Sequence, residues 1–317
     1  MRMSYAEAAR QALAEAMRED PTVWAVGEDL GRGGVFGQYK GLREEFGADR
    51  ISDAPISEAG IMGAAFGAAM VGTRPVVEMR FADFALCATD ELVNQIAKAR
   101  FMFGGQSRAP MVIRKPMGLW RSSAAQHSQS LESWYAHIPG LVVACPSTPQ
   151  DNYSMMRQAI AADDPVVYLE HKDIWAMEGE VRRDDDLPLG RARTRRDGND
   201  VTIVSWSQTC NLAVEAAESL TTEGLDIEVI DLRTLWPWDK EAVMESVGRT
   251  GRLIVAHESV QVGGFGAEVV AYVAERMAVK AKRLGAPRSL VAYAPNLENQ
   301  LRVTAEMIAD AAREMCA

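Results

Sequence analysis

The chain has 317 residues, which predicts about two domains at roughly 100 to 200 residues each. Hydrophobic residues make up 48% of it and charged residues 25%, as in ordinary globular proteins, so the composition excludes a disordered or collagen-like chain. The net charge of -10 disfavours binding to nucleic-acid phosphates or to anionic membrane surfaces, and we expect neither as a partner.

The first predicted element is a helix over residues 4–17. Ser4 and Glu7 have the S-x-x-E spacing of a capping box, and the alanine-rich segment after them has helical spacing. A short strand is expected at 23–26, before two acidic residues. The glycine-rich segment 31–41 is typical of a loop.

A second helix is predicted from a cap at Ser57 to Val71. Its glycines and alanines recur at spacings of three and four, which would let another backbone approach closely. Apolar strands then alternate with helical segments, and these strands are expected at 75–81, 111–114, 141–145 and 166–169. Such alternation predicts a parallel sheet covered by helices on both faces, an α/β fold.

Charge runs with Pro188 and Gly190 interrupt this pattern, and we place the domain boundary there. The predicted domains are residues 1–185 and residues 186–317. In the second domain, strands are expected at 201–206, 227–232, 253–256 and 290–292, and helices at 210–223, 267–284 and 304–315. The second domain is therefore predicted to be a smaller α/β unit.

The common nucleotide-binding and hydrolase motifs are absent: the chain has no G-x-x-x-x-G-K-[ST], G-x-G-x-x-G, H-E-x-x-H or G-x-S-x-G. Its four histidines and four cysteines are scattered and include no C-x-x-C pair, so no metal site is expected on this chain. Free thiols and a first segment without an apolar leader are typical of a reducing compartment. We therefore expect a soluble cytoplasmic protein.

Candidate site residues follow the predicted strands, where doubly wound sheets place their sites. Glu58 begins a helix among apolar neighbours. It suits a helix-terminus acid stabilised by the dipole, or a shielded carboxyl that exchanges a proton with a bound base. His127 follows a polar loop and is either a surface imidazole or one that faces a pocket.

Aromatic and acidic pairs at two other predicted strand ends are equally open to interpretation. Phe81 and Phe84 are either core residues or aromatics that stack on a heterocycle. Glu28 and Asp29 follow a strand, where acidic residues are most often solvated loop residues. Each pair is a weak signal when it is taken alone.

A series of motifs runs through the chain: Val-Gly-Glu-Asp (26–29), Pro-Ile-Ser-Glu-Ala-Gly (55–60), Phe-Ala-Asp-Phe (81–84), Gln-His-Ser-Gln-Ser (126–130), Glu-Val-Ile-Asp-Leu-Arg-Thr-Leu-Trp-Pro-Trp-Asp (228–239) and Gly-Arg-Leu-Ile-Val-Ala-His-Glu (251–258). In this order they resemble the β subunit of the E1 component of 2-oxo acid dehydrogenase complexes. These are the thiamine-diphosphate enzymes that act on pyruvate, branched-chain 2-oxo acids or acetoin. The resemblance covers nearly the whole chain.

The resemblance implies a thiamine-type pyrimidine-binding domain with a parallel sheet, followed by an α/β domain like the C-terminal domain of transketolase. It implies oxidative decarboxylation of a 2-oxo acid and acyl transfer to a lipoyl group of an E2 acyltransferase. Thiamine diphosphate would be shared with an E1 α subunit in an α2β2 heterotetramer. That α subunit would hold Mg2+, because this chain lacks the Gly-Asp-Gly segment of the diphosphate site.

Five residues acquire roles from the resemblance. Glu58 matches the acid that hydrogen-bonds N1′ of the aminopyrimidine and promotes deprotonation of the thiazolium C2. His127 matches the histidine of proton handling and of reductive acylation of the lipoyl group. Phe84 matches the aromatic that packs on the pyrimidine, Glu28 matches an acid of a network near the cofactor, and Arg80 lies at a position beside the cofactor.

The chain departs from the family pattern at two places. Arg80 stands where relatives carry Gln or Met, and the loop 115–121 begins with Lys115 where the family has a glycine. We hypothesise that Arg80, Trp120 or Arg121 shapes a different acyl pocket or contacts a carboxylate. The alternative is that these side chains face solvent or the α subunit.

Three other functions are kept as alternatives. The chain could be an acetoin dehydrogenase β subunit or a non-catalytic structural or regulatory partner of the α subunit. A self-sufficient transketolase-like transferase is disfavoured by the length and by the missing diphosphate motif. Some relatives also bind a monovalent cation through backbone carbonyls of segments that match 109–112 and 159–164, so K+ is a further candidate cofactor.

Overall fold

The computed structural model describes all 317 residues, and the chain forms two compact units. Unit 1 comprises residues 1–117 and 134–189, and unit 2 comprises residues 118–133 and 190–317. The sequence predicted one division, between residues 185 and 186. The structure divides the chain after Leu189 and also places the segment 118–133 with unit 2, because carboxylates of that unit bind the segment's backbone, as described below.

Unit 1 is built on a parallel sheet. The strands up to residue 189 are β1 (Arg2–Ser4), β2 (Val23–Gly27), β3 (Ile51–Asp53), β4 (Arg74–Glu78), β5 (Val112–Met117), β6 (Val142–Ala144), β7 (Val166–His171) and β8 (Glu178–Glu180). Six of them follow the order β6-β7-β5-β4-β2-β3 with every pair parallel, while β1 pairs with β8 antiparallel. The carboxyl ends of β2, β4, β5 and β7 therefore lie side by side at one edge.

The helices up to residue 189 are α1 (Tyr5–Glu19), α2 (Leu42–Phe46), α3 (Glu58–Met70), α4 (Ala99–Met102), α5 (Glu132–Ala136) and α6 (Pro149–Ala161). The predicted capping box of α1 is confirmed: Ser4 Oγ accepts the Glu7 backbone N–H at 3.2 Å, and the Glu7 carboxylate accepts that of Ser4 at 2.9 Å. Buried alanines of α1 and buried methionines of α6 belong to one core.

Helix α3 confirms the second predicted helix and differs at its cap, since the Ser57 side chain makes no capping hydrogen bond. Ile61 and Met62 lie on the buried side of the helix. Gly63 and Gly67 lie on its exposed side, and a methyl group added to either would meet no other atom within 4 Å. Within this chain, the small residues of α3 therefore leave a face that nothing covers.

Unit 2 has its own, smaller sheet, as predicted. Its strands are β9 (Arg193–Arg196), β10 (Val201–Ser205), β11 (Ile227–Asp231), β12 (Thr234–Trp236), β13 (Arg252–Val260) and β14 (Lys280–Ala286), and its helices are α7 (Ser207–Thr221), α8 (Lys240–Thr250), α9 (Gly266–Ala274), α10 (Pro295–Glu298) and α11 (Ala305–Cys316). The sheet order is β14-β13-β10-β11-β9, parallel except for β9. No helix of the chain has the length and apolar character of a membrane span.

Two predictions for unit 2 were wrong. The helix expected at 267–284 ends at Ala274, and residues 280–286 form β14 instead. Lysine, arginine and alanine favour helices locally, but the parallel pairing of this segment with β13 overrides that preference. The strand expected at 290–292 does not form, because β14 already occupies the sheet edge beside β13. Helix α8 was not predicted.

Lys115, which the sequence placed at the start of a loop, lies in β5 and generates a prediction about stability. Its side chain is fully buried, and its Nζ has no hydrogen-bond partner and lies 3.9 Å from the centre of the Tyr135 ring. Burial lowers the pKa of Lys115 well below its usual value. In the unfolded chain, where a lysine pKa is about 10.4, the Lys115 amine binds its proton more tightly than in the folded chain. The free energy of unfolding therefore falls as the pH is lowered from about 10.

We expect Lys115→Met to raise the free energy of unfolding by about 1 to 3 kcal/mol at neutral pH, because the thioether fills a similar volume without a polar group. The gain should grow as the pH falls from 9 to 6. Urea unfolding of the purified chain at both pH values measures it. Lys40→Met, at an exposed position, is the control and should change stability by less than about 0.5 kcal/mol. Loss of stability in Lys115→Met would contradict the argument.

Candidate active site

The carboxyl ends of β2 and β4 bring two of the predicted site residues into contact. These strands are parallel neighbours, with Val26 opposite Val77. Just beyond them, the Arg80 guanidinium binds the Glu28 carboxylate at 3.0 Å and the Asp29 carboxylate at 3.4 Å. Glu28 is 7% exposed, so the ion pair lies largely inside unit 1.

Unusual backbone conformations position this ion pair. Asp29 and Arg80 have φ angles of 58° and 46°, in the left-handed region that residues with a Cβ rarely adopt. Gly27 lies so close to β4 that an added Cβ would meet the Cβ and the carbonyl oxygen of Glu78 at 2.8 Å. Only glycine permits this approach of the two strands.

An aromatic cluster lies next to Arg80. Phe84 begins a short 3-10 segment, and its ring is 5.2 Å from that of Phe81 in a T-shaped arrangement. The Phe36 ring is 5.8 Å from Phe81 on another side, and the Lys172 Nζ lies 4.7 Å from the Phe81 ring centre. Sequence reasoning missed Phe36 and Lys172. The available signal for Phe36 was an aromatic residue inside the glycine-rich loop.

Glu58 is the first residue of α3, where the helix dipole stabilises a carboxylate. It is half-buried, and its carboxyl group makes no hydrogen bond or ion pair within the chain. The sequence suggested shielding by apolar neighbours. Ile61 and Met62 are indeed buried, but Ile56 is 76% exposed. This chain therefore shields the Glu58 carboxyl only in part.

His127 lies in unit 2, whereas Glu28, Glu58, Arg80 and Phe84 lie in unit 1. Its segment is anchored by two carboxylates of unit 2. Glu258 accepts the backbone N–H of Leu119 at 2.8 Å and the hydroxyl of Ser130 at 3.0 Å, and Glu298 accepts the backbone N–H of Ser122 at 2.6 Å. These bonds fix the loop that carries the imidazole.

The same loop bounds a cavity of about 380 Å³ in unit 2, lined by Ser128 and Ser130 from the loop and by Glu258. His127 is half-buried. The backbone just before it is left-handed at Arg121, Ser122 and Ala124. Trp120 and Arg121 contact each other, with the guanidinium carbon 5.3 Å from the ring centre. Their suggested role in substrate selection stays a hypothesis.

A buried polar network lies directly beneath the strand ends of unit 1. Arg114 in β5 forms a double hydrogen bond with Glu170 in β7 and lies 3.8 Å from Glu78 in β4. The Tyr39 hydroxyl donates to Glu78 at 3.0 Å. Burial raises the pKa of Glu78 to about 7, although Arg114 opposes this shift. Sequence reasoning missed this network, for which charged residues inside apolar strands were the available signal.

Two known domain families match the chain, one after the other. The family model for the transketolase pyrimidine-binding domain matches residues 1–176, and the model for the transketolase C-terminal domain matches residues 190–308. A solved structure described as a split-gene transketolase, an inactive beta4 tetramer, is similar with a TM-score of 0.84. It is 23% identical and covers 99% of this chain and 98% of its own, and it supports the fold alone.

Three curated relatives are similar over nearly their whole length. The 2-oxoisovalerate dehydrogenase subunit beta of Bacillus subtilis is 38% identical, covering 99% of this chain and 98% of the relative. The beta subunit of acetoin:2,6-dichlorophenolindophenol oxidoreductase of Cupriavidus necator is 41% identical, covering 99% and 97%. The pyruvate dehydrogenase E1 component subunit beta of Rickettsia conorii is 38% identical, covering 100% and 99%.

The raised pKa of Glu78 generates a prediction. The folded chain holds the Glu78 proton up to about pH 7, whereas the usual pKa of a glutamate is 4.5. The free energy of unfolding therefore falls as the pH rises from 4.5 to about 7. The fall attributable to this group is about 3 kcal/mol. We expect Glu78→Gln to lack it, so the stability of the natural chain relative to the variant should decrease between pH 4.5 and 8.

Urea unfolding at several pH values measures this difference. Glu44→Gln, at an exposed position in α2, is the matched control and should show no pH-dependent difference from the natural chain. Parallel stability curves for the natural chain and Glu78→Gln would contradict a raised pKa.

Proposed function

Because the chain belongs to the β subunits of the E1 components of 2-oxo acid dehydrogenases, we propose that it acts with an E1 α subunit in the thiamine-diphosphate-dependent oxidative decarboxylation of a 2-oxo acid. The acyl group then passes to a lipoyl group of an E2 acyltransferase. The observation that carries the proposal is the Glu58 carboxyl, which is unpaired within the chain at the start of α3.

The residues present fit thiamine diphosphate. A carboxyl with no partner in its own chain is available to hydrogen-bond a ring nitrogen, and the Phe81–Phe84 pair offers an apolar aromatic surface for a heterocycle. When bound, thiamine diphosphate supplies the carbon nucleophile that attacks the carbonyl group of the substrate. Glu58 would hold the proton at the pyrimidine N1′, and Phe84 would pack on the pyrimidine ring.

Two further residues are proposed to handle protons. Glu28, buried and ion-paired, would belong to the acidic network beside the cofactor. His127 would transfer protons to and from the substrate and assist reductive acylation of the lipoyl group, since an imidazole can both accept and donate a proton. The anchored loop that carries His127 suits this role because it limits the movement of the ring.

An α subunit would complete the site. A proton-exchanging carboxyl works best when it is shielded from water, and this chain leaves Glu58 half-exposed and Ile56 exposed. The uncovered face of α3, with Gly63 and Gly67, has room for a close protein contact. We propose that the α subunit also holds the diphosphate and Mg2+, that the assembly is α2β2, and that K+ is a structural ion.

The substrate is proposed to be a 2-oxo acid such as pyruvate or a branched-chain 2-oxo acid, by similarity to the relatives named above. Acetoin is the second candidate, favoured by the 41% identical relative. A non-catalytic role beside the α subunit is the third. The proposed location is the cytoplasm, because its reducing conditions keep thiols free, as the four cysteines are here.

The test is an activity assay of the chain mixed with its candidate α subunit, using dichlorophenolindophenol as electron acceptor. We expect turnover of one member of a panel of 2-oxo acids and acetoin, in the mixture only. Glu58→Gln should lower kcat by about 100-fold or more, because it removes a proton-exchanging group. Glu306→Gln is the matched control, because Glu306 is also a first-turn helix acid, in α11.

Calorimetric titration of thiamine diphosphate with Mg2+ accompanies the assay. Binding in the mixture and none to the chain alone is the expected result. Tight binding to the chain alone would contradict a shared site. An unimpaired Glu58→Gln enzyme would contradict the catalytic assignment and favour the non-catalytic alternative.

A further inference from the structure

Arg80 occupies a strained and specific position. It follows β4 in a tight turn in which the Phe81 backbone N–H donates to the Met79 carbonyl, and its own φ is 46°. A long side chain rarely adopts this left-handed conformation without a compensating interaction. The side chain is 27% exposed and is directed to the end of the neighbouring strand β2. Its contacts there indicate what the conformation achieves.

The Glu28 carboxylate depends on Arg80. Glu28 is buried, and the Arg80 guanidinium at 3.0 Å is its one hydrogen-bond and ion-pair partner in the chain. A buried carboxylate without a cation is strongly disfavoured. Asp29, at 3.4 Å from the same guanidinium nitrogen, is 45% exposed and can be solvated without Arg80. Loss of Arg80 would therefore affect Glu28 more than Asp29.

The same contacts argue against Arg80 as a receptor for a substrate carboxylate. One positive charge already faces two carboxylates, so a further anion would meet a net negative group. A carboxylate is best held by two parallel N–H donors of an arginine. Here Nη1 is engaged by Glu28 and Asp29, and Nε is buried, so only Nη2 is left for a ligand and neither two-donor edge of the guanidinium is open to a carboxylate.

We propose that Arg80 is a positioning residue that acts through Glu28: it holds the Glu28 carboxylate in place at the strand ends and does not contact the substrate. This inference rests on the proposed function of the site. It replaces the hypothesis that Arg80 selects the substrate. Since Glu28 would belong to the proton network of the cofactor site, removal of Arg80 should slow the reaction without weakening substrate binding.

A double-mutant cycle in the mixture of chain and α subunit tests the proposal. We expect Arg80→Gln to lower kcat about tenfold, with KM for the substrate changed less than about twofold. In a Glu28→Gln background, Arg80→Gln should change kcat by less than about twofold, because its target is gone. Arg80→Lys, which retains the charge, should recover part of kcat. Arg18→Gln, which removes an exposed ion pair with Glu45, is the control and should be neutral.

Two readouts do not use turnover. Thermal unfolding of the chain alone should show coupling between Arg80→Gln and Glu28→Gln, because the two side chains contact each other in unit 1. Calorimetry should show that both variants weaken binding of thiamine diphosphate in a non-additive way. Additive effects in unfolding and in cofactor binding would overturn the proposal.

The kinetic outcomes separate this inference from the proposed function. An active natural enzyme in which Arg80→Gln raises KM and leaves kcat unchanged would overturn the inference and restore Arg80 as a substrate contact. Equal losses with and without Glu28→Gln would also overturn it. A natural mixture that binds no thiamine diphosphate and oxidises none of the panel would overturn the proposed function and, with it, the role of Arg80.

Discussion

The strand ends of unit 1 depend on one interaction, the contact of the buried Arg114 guanidinium with two buried carboxylates. Arg114 lies in β5, between β4 and β7, and faces Glu78 on one side and Glu170 on the other. Without this cation two carboxylates would be buried close together, which proteins avoid. Glu170 forms the double hydrogen bond, and Glu78 is the acid whose pKa is raised, because burial disfavours its charged form and the charge of Glu170 adds to that effect. The network thus ties three neighbouring strands together just beneath the candidate site.

The close approach of β2 and β4 connects this network to the site above it. Gly27 has no side chain, so the end of β2 lies directly against Glu78 of β4, and Glu28 follows Gly27 immediately. The pair β2–β4 thus has the buried acid Glu78 at the end of β4, and the Glu28–Arg80 ion pair just beyond the ends of both strands. Both carboxylates lie against a guanidinium, which lets a site made of acids exist inside an apolar sheet. Glu58 is the exception, because no cation of this chain contacts it. For this reason we propose that its partner is the cofactor, in a site completed by the α subunit.

The sequence was informative where the determinants are local and uninformative where they are not. The capping box predicted α1, and the alternation of apolar segments predicted the parallel sheets, because both signals come from residues near each other in the chain. The same reasoning failed for β14, whose lysines and alanines favour a helix until β13 pairs with them. It also missed that the segment 118–133 belongs with unit 2, because that depends on distant carboxylates, Glu258 and Glu298.

Arg80 shows most clearly what separates a motif from a site. In the sequence it is a lone cation beside an aromatic pair, and a substrate carboxylate is the natural partner to suggest. The pairing of β2 with β4, with Val26 opposite Val77, changes that interpretation: beyond the paired residues, the Arg80 guanidinium contacts the Glu28 and Asp29 carboxylates that follow β2. Sequence patterns predict that such strands are parallel neighbours, but not their register, since side chains on both faces are apolar and a shift leaves the pattern unchanged. The charge that seemed available to a substrate is therefore used within the protein.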